Sequence, residues 1–225
     1  MTENHRIIWD WLGKNTELPE TAIAGLMGNM ECESSCEPCR LQGDFSGNRG
    51  RSAHYATLVD TGEMSEEAFR SDSLGWGLCQ WTYFSRKAAL LEWCRSRGCS
   101  IADMEGQLSF MVQEMQSDFA GMWKRLQSCT DLREAARLVC VEYEKPAVLN
   151  TQDRADWGQR FYESFAAGSS EDTAPDGSGA GGGHLFPQPS ADSFPHGEAL
   201  FHSIIELLEK ILELLKTGSV KGESG

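Results

Sequence analysis

The segment Gly28-Asn29-Met30-Glu31-Cys32-Glu33-Ser34-Ser35 closes an apolar run that begins just after Pro19, and its reading decides the fold. Leu26, Met30 and Glu33 are spaced by four and then three residues, so they share one face of a helix. Glu33 thus ends an apolar stripe at a helix C-terminus. Desolvation and the negative end of the helix dipole both favour the protonated carboxyl in such a place. This is how a glutamate is kept ready to act as a general acid near neutral pH. Glu31, next to Met27 and Ala24, shares the helix end, and spacing alone does not separate the two acids.

A second segment, Asp72-Ser73-Leu74-Gly75-Trp76-Gly77-Leu78-Cys79-Gln80-Trp81-Thr82, has two glycines flanking a tryptophan, then Gln, Trp and Thr. Glycine lets backbone approach a ligand closely. Trp81 and Gln80 suit a sugar, one covering an apolar ring face and the other bonding hydroxyls. The structural alternative is a tight turn into the next helix with Trp81 in the core.

Outward from these segments the apolar spacing is helical almost throughout. Ile7, Ile8, Trp11 and Leu12 start a first helix, and Pro19 suits the first turn of a second. Ser65 caps EEAFR. Ser85 to Arg97 reads as a helix stopped by Gly98. Further helices are predicted over 103–117, 131–144 with Asp131 as N-cap, and 151–166. Residues 40–64 are rich in Gly, Ser and Asn without periodicity, which predicts a functional loop or hairpin. The fold class is therefore mainly α, with at most a small β element.

The two segments together resemble the phage tail lysozyme family, whose members cleave peptidoglycan within the wider lysozyme-like fold. Goose-type lysozymes and lytic transglycosylases share the helix-terminal Glu-Ser and a later Gly-Leu-x-Gln. The resemblance extends through SRKAALLEWCRSRG, QLSFMVQEM, YEKPA and DRADWGQRFYESFA, and covers about residues 5–166. It implies that Glu33 is the catalytic acid, because Glu33 directly precedes Ser. It places Gly77, Leu78 and Gln80 on the glycan groove and has Tyr143 close the site, while Trp81 and Thr82 are expected to bind substrate from the reading of the segment itself. Two departures stand out. ESSCEPC replaces the usual turn after the acid, and Thr82 stands where goose-type lysozymes carry an acidic residue. Asp72 is then the leading candidate for the base of an inverting hydrolase, with a turn aspartate as the plain alternative; Asp44 and Asp60 are weaker. Without a base the sugar's own 6-hydroxyl attacks, which is lytic transglycosylation. A non-catalytic glycan-binding or tail-structural module is the alternative of a different class.

Composition excludes other classes. Lys plus Arg is 20 against 34 Asp plus Glu, a net charge of −14, which disfavours nucleic acid and anionic lipid. No transmembrane segment is expected, and MTENHRIIWDWLGKN lacks the pattern of a signal peptide. The expected location is the host cytoplasm before holin-dependent release, or the virion. No cofactor is expected. The eight cysteines read as free thiols. Cys36 and Cys39 have zinc-knuckle spacing, but Cys94 and Cys99 are a loose partner pair, so no metal is expected. A rival enzyme reading is a peptidase or amidase using Cys32 or Cys79 with His54.

Residues 1–166 form the expected catalytic domain. From Gly168 to Gly197 the chain has seven Gly, four Pro and five Ser, so 167–197 reads as a flexible tether. Residues 198–217, EALFHSIIELLEKILELLKT, carry two adjacent apolar seams, one of them through Leu200, Ile204, Leu207, Ile211 and Leu214. An isolated helix cannot bury such a stripe. Self-association is expected, with a tetramer favoured. Residues 218–225 read as a disordered tail.

Overall fold

A computed structural model describes residues 1–44 and 49–166, all within one compact unit, Met1–Ala174. In chain order the described helices are α1 (Glu3–Asn15), α2 (Glu20–Ser34), α3 (Arg49–Asp60), α4 (Glu66–Ser71), α5 (Phe84–Arg97), α6 (Met104–Ser117), α7 (Ala120–Gln127), α8 (Leu132–Leu138) and α9 (Thr151–Phe165). A π-helical segment, Val139–Glu144, continues directly from α8. The chain is mainly α, as the periodicity predicts. Among the described residues there is no strand, and the β element reduces to isolated antiparallel bridges of Trp76 with Leu41 and Trp81.

α2 is the central helix. Ala22, Ile23, Ala24, Leu26, Met27 and Met30 are all buried along it, so it lacks the polar face of a surface helix. α8 and α9 pack on it at close range, and glycine permits this. A Cβ on Gly28 would stand 2.0 Å from the Arg154 carbonyl oxygen, and one on Gly158 would stand 2.9 Å from that of Ala24. A second part of the core gathers Trp76, Trp81, Leu90 and Phe110 from the Trp-rich turn, α5 and α6. The Trp76 indole N–H donates to the Ile101 carbonyl at 2.9 Å.

Two expectations need correction. Residues 40–64 are not the expected loop or hairpin throughout, since α3 occupies Arg49–Asp60. Its inner face is Ser52, Tyr55, Ala56 and Val59, a helical spacing disguised by a serine and an alanine. α7 escaped the periodicity because it has eight residues and buries only Met122, Trp123 and Leu126. Pro19 is the N-cap residue of α2, one position before the first turn.

Candidate active site

α2 ends where Ser35 takes the left-handed conformation at φ 56° and Cys36 follows at φ 54°. This double turn leaves Glu33 in the last helical turn, with its side chain 18% exposed. Its neighbour is not the apolar surface that the stripe implied. The Arg154 guanidinium, from α9, donates to Glu33 Oε1 at 2.6 Å. The same guanidinium donates to Asn29 Oδ1 at 2.9 Å and to Asn150 Oδ1 at 2.8 Å. Asn29 is itself fixed by its Nδ2, which donates to the Gly25 and Ala136 carbonyls. Burial works to lower the basicity of Arg154. The adjoining Glu33 carboxylate more than offsets this, and the guanidinium is held above its ordinary value. Glu33 is thus aimed by a buried polar chain from α2 and α9.

Ser34, next along, ties the two sequence segments together. Its hydroxyl lies in the buried joint between them, 3.0 Å from the Met30 carbonyl and 2.9 Å from the Leu78 carbonyl. The turn is shaped by Gln107, whose Oε1 accepts from the Leu78 N–H at 2.8 Å. Gly77 sits at φ +74°, and a Cβ there would be 2.5 Å from that same Oε1. Gln80, at φ 45°, folds its amide back to donate to the Gly77 and Arg40 carbonyls. Behind the turn, Arg86 grips Glu114 with two hydrogen bonds of 2.7 and 2.8 Å. The Tyr143 hydroxyl donates to Glu114 Oε2 at 2.7 Å, and the Trp81 indole N–H donates to the same oxygen at 3.2 Å. Burial disfavours the charge on Arg86, and the bond to Glu114 reverses that, holding it above its ordinary value.

These elements enclose a cleft of about 800 Å³. The end of α2 contributes Cys32 and Glu33, the turn contributes Gln80 and Thr82, and the π-helical segment contributes Tyr143 and Glu144. Tyr83, 76% exposed, lines it as well, with Pro146 and Ala147. Of the residues expected from sequence, the structure brings Glu33, Gln80, Thr82 and Tyr143 to this cleft. Gly77, Leu78 and Trp81 are buried and do not line it; they build the wall. Gln42, Tyr83, Arg86 and Glu144 also line the cleft, and the sequence reading had not singled them out.

A model of the phage tail lysozyme family matches residues 3–165. The chain belongs to that family. It is also similar to Morphogenesis protein 1 of Bacillus phage B103, at 25% identity over 178 residues. The match covers 73% of this chain and 40% of the relative, so the chain spans about two fifths of that protein's length.

Asp72 has a place in this chain other than the one expected. It does not line the cleft. Its Oδ1 accepts from Lys87 Nζ at 2.5 Å and from the Leu74 N–H at 2.9 Å, and Tyr55 donates to Oδ2. Lys87 is 0% exposed. Burial pushes its ammonium below the ordinary value and Asp72 opposes that. Asp72 is therefore the counter-charge of a buried lysine. Asp44 is likewise engaged by the Ser52 N–H and hydroxyl, and Asp60 by Ser100 and the Ile101 N–H.

All eight cysteines carry free thiols. Burial pushes the Cys32 thiol up to about 11 and that of Cys79 well above its ordinary value, which removes the thiolate a nucleophile needs. His54 is exposed on α3 and does not line the cleft. A metal-sized grouping does exist among the described residues, where His5, Glu31 and Cys36 bring their ligand atoms within 4.8 Å of one another. It is already satisfied without an ion. His5 Nδ1 accepts from the Thr2 N–H in the capping box of α1. That leaves the ring proton on Nε2, 3.0 Å from Glu31 Oε2. A metal-bound imidazole needs the opposite tautomer, with Nδ1 donating.

Proposed function

We propose that this protein cleaves the glycan strand of bacterial peptidoglycan as a muramidase, at the MurNAc–GlcNAc β-1,4 bond, with Glu33 as general acid. The reading rests on one observation above all. The glutamate before Ser34 stands in the wall of a glycan-sized cleft, held by Arg154 and faced by Gln80, Thr82 and Tyr143. Family membership supports peptidoglycan as the substrate. In the step proposed, the Glu33 O–H protonates the bridging oxygen as the C1–O bond breaks, and water completes hydrolysis at C1. Tyr83 offers an exposed ring for a sugar face at the rim. The position of Asp72, outside the cleft and bound to Lys87, favours one second reading: attack by the sugar's own 6-hydroxyl, giving an anhydro product.

The Glu33→Gln variant tests the assignment, because an amide cannot donate that proton. It should lower lysis of purified walls by at least about 10²-fold with the helical content intact, while Glu31→Gln keeps most activity. The swapped outcome would make Glu31 the acid, and activity in both variants would exclude both; unsubstituted protein that lyses no wall would instead favour a non-catalytic module. Mass spectrometry of the released muropeptides separates hydrolysis from transglycosylation.

Residues 198–217 lie outside the described residues. We assign them to self-association of a tethered catalytic domain, which raises avidity for an insoluble wall. A relative named for morphogenesis favours a virion-associated role over release through a holin.

A further inference from the structure

Glu144 is a carboxyl that the reading above does not use. It ends the π-helical segment, just before Lys145 turns the chain at φ 50°. It lines the same cleft as Glu33. Its Oε1 is sealed from solvent and has no hydrogen-bond partner, alone in this among the described side chains. An ionised carboxylate tolerates such an oxygen poorly, whereas a neutral carboxyl can bury it as a bare carbonyl.

The charges facing it come from every element around the cleft. Glu33 approaches from α2, Arg86 from α5, Glu114 from α6 and Arg154 from α9. Cys79 faces it from the turn, and Tyr143 and Cys140 share its own segment. The two arginines favour ionisation, but each is already bonded to another carboxylate, Arg86 to Glu114 and Arg154 to Glu33. Burial and the charge of Glu33, in that order, hold Glu144 well above its ordinary value.

We propose that Glu144 is the second carboxyl of the active site, a positioning residue that shares one proton with Glu33 and sets the pH range over which Glu33 is loaded. This rests on the assignment of Glu33 as the acid. Two carboxyl groups in one cleft cannot both ionise cheaply. In the resting cleft the single proton stays on Glu144 while Glu33 is paired with Arg154. As substrate fills the cleft, the proton passes from Glu144 to Glu33 through a bridging water or sugar hydroxyl. The Glu144 carboxylate left behind is faced by Arg86 and Arg154, and Glu33 then gives the proton to the bridging oxygen. After turnover the proton of the attacking water, or of the attacking 6-hydroxyl, reloads the pair, so protons balance.

The pH profile of kcat/KM tests this in Glu144→Gln, with Glu142→Gln, which pairs with Arg125 outside the cleft, as control. Without Glu144 the site lacks the carboxyl that holds the pair's last proton, so the alkaline limb should move down by about one pH unit. Glu142→Gln should leave the limb in place. A uniform fall in rate with an unmoved limb would overturn the proposal, as would loss of activity at every pH, which would make Glu144 the acid itself. Failure of the parent reading looks different, namely a Glu33→Gln variant that still lyses walls.

Two readouts need no activity. A carboxyl held above 4.5 in the folded state contributes stability fully below that value and loses it as pH rises through the folded value. Glu144→Gln should therefore gain stability relative to wild type as pH rises above 4.5, and a flat difference in urea denaturation contradicts the proposal. If that variant does not fold, 13C titration of the Glu144 carboxyl in Glu33→Gln decides. Its midpoint should fall relative to wild type, and an unchanged midpoint denies the coupling.

Discussion

At Asp72 a single carboxylate decides between two chemistries, and its partner decides for it. The Lys87 ammonium has no exposure and depends on Asp72, Tyr55 and the Leu74 carbonyl for all its bonds. Breaking a buried pair by removing one charge costs roughly 3–5 kcal/mol, mostly through the charge left behind. Asp72→Asn should therefore lower unfolding stability by about that amount while the folded fraction keeps a kcat near wild type. Urea denaturation beside a turnover assay measures both; a loss of about 10²-fold in kcat at unchanged stability would restore the base role to Asp72. The sequence carried half of this site. Glu33 was legible as a helix-terminal carboxyl from its spacing, and only the family resemblance, a glutamate directly before serine, set it apart from Glu31. Arg154 was not, because it binds from 121 residues away, and in DRADWG it reads as an ordinary polar position. The pairing of Asp72 was hidden differently, since Lys87 shares the apolar face of Leu90, Leu91 and Cys94 but a lysine reads by its type as solvated.

Between elements, the site depends on how α2 meets α9 and on where α8 stops being regular. The periodicity predicted one helix over 131–144, and the chain is helical over that range. Yet the last six residues are π-helical, and the wider turn re-aims side chains by part of a turn, as π-bulges at functional sites often do. Tyr143 and Glu144 reach the cleft by that change, which no apolar spacing reveals. Gly28 and Gly158 were equally silent, because a lone glycine in a helix reads as a cost rather than a contact. Their meaning appears only when α9 lies against α2. Gly28→Ala tests this. A methyl 2.0 Å from the Arg154 carbonyl meets backbone, which cannot rotate away, so α9 must move. Overpacking of this kind costs about 1–3 kcal/mol or more, and the shift carries Arg154 away from Glu33. The expected result is a lowered thermal midpoint together with a fall in wall lysis exceeding that explained by unfolding. A variant with wild-type stability would mean that the two helices separate freely.

For the whole molecule, the described residues supply every group proposed for chemistry, and the acidic chain beyond Ala167 supplies none. What it does carry is ten large apolar residues in twenty positions, Leu200, Phe201, Ile204, Ile205, Leu207, Leu208, Ile211, Leu212, Leu214 and Leu215. At roughly 1.5–3 kcal/mol for each side chain fully buried, even a heavily discounted share outweighs the entropy of association at micromolar concentration. The polar positions are mostly glutamate, with Lys210 and Lys216, which suits a bundle of like helices better than an anionic membrane. Two adjacent seams, rather than one, favour more than two chains. Full-length protein should therefore scatter light as an oligomer, a tetramer by this argument, and a chain ending at Ala167 as a monomer. The shortened chain should cleave soluble glycan fragments at the full-length rate per site, because Glu33, Gln80, Tyr143 and Glu144 all precede the break. Its lysis of whole walls should fall, since separate sites no longer rebind a common surface. A monomeric full-length protein at tens of micromolar would end the self-association reading and leave the ten apolar residues to a partner protein or a membrane surface. Equal lysis by both chains, with oligomers present, would instead deny that clustering serves the wall reaction.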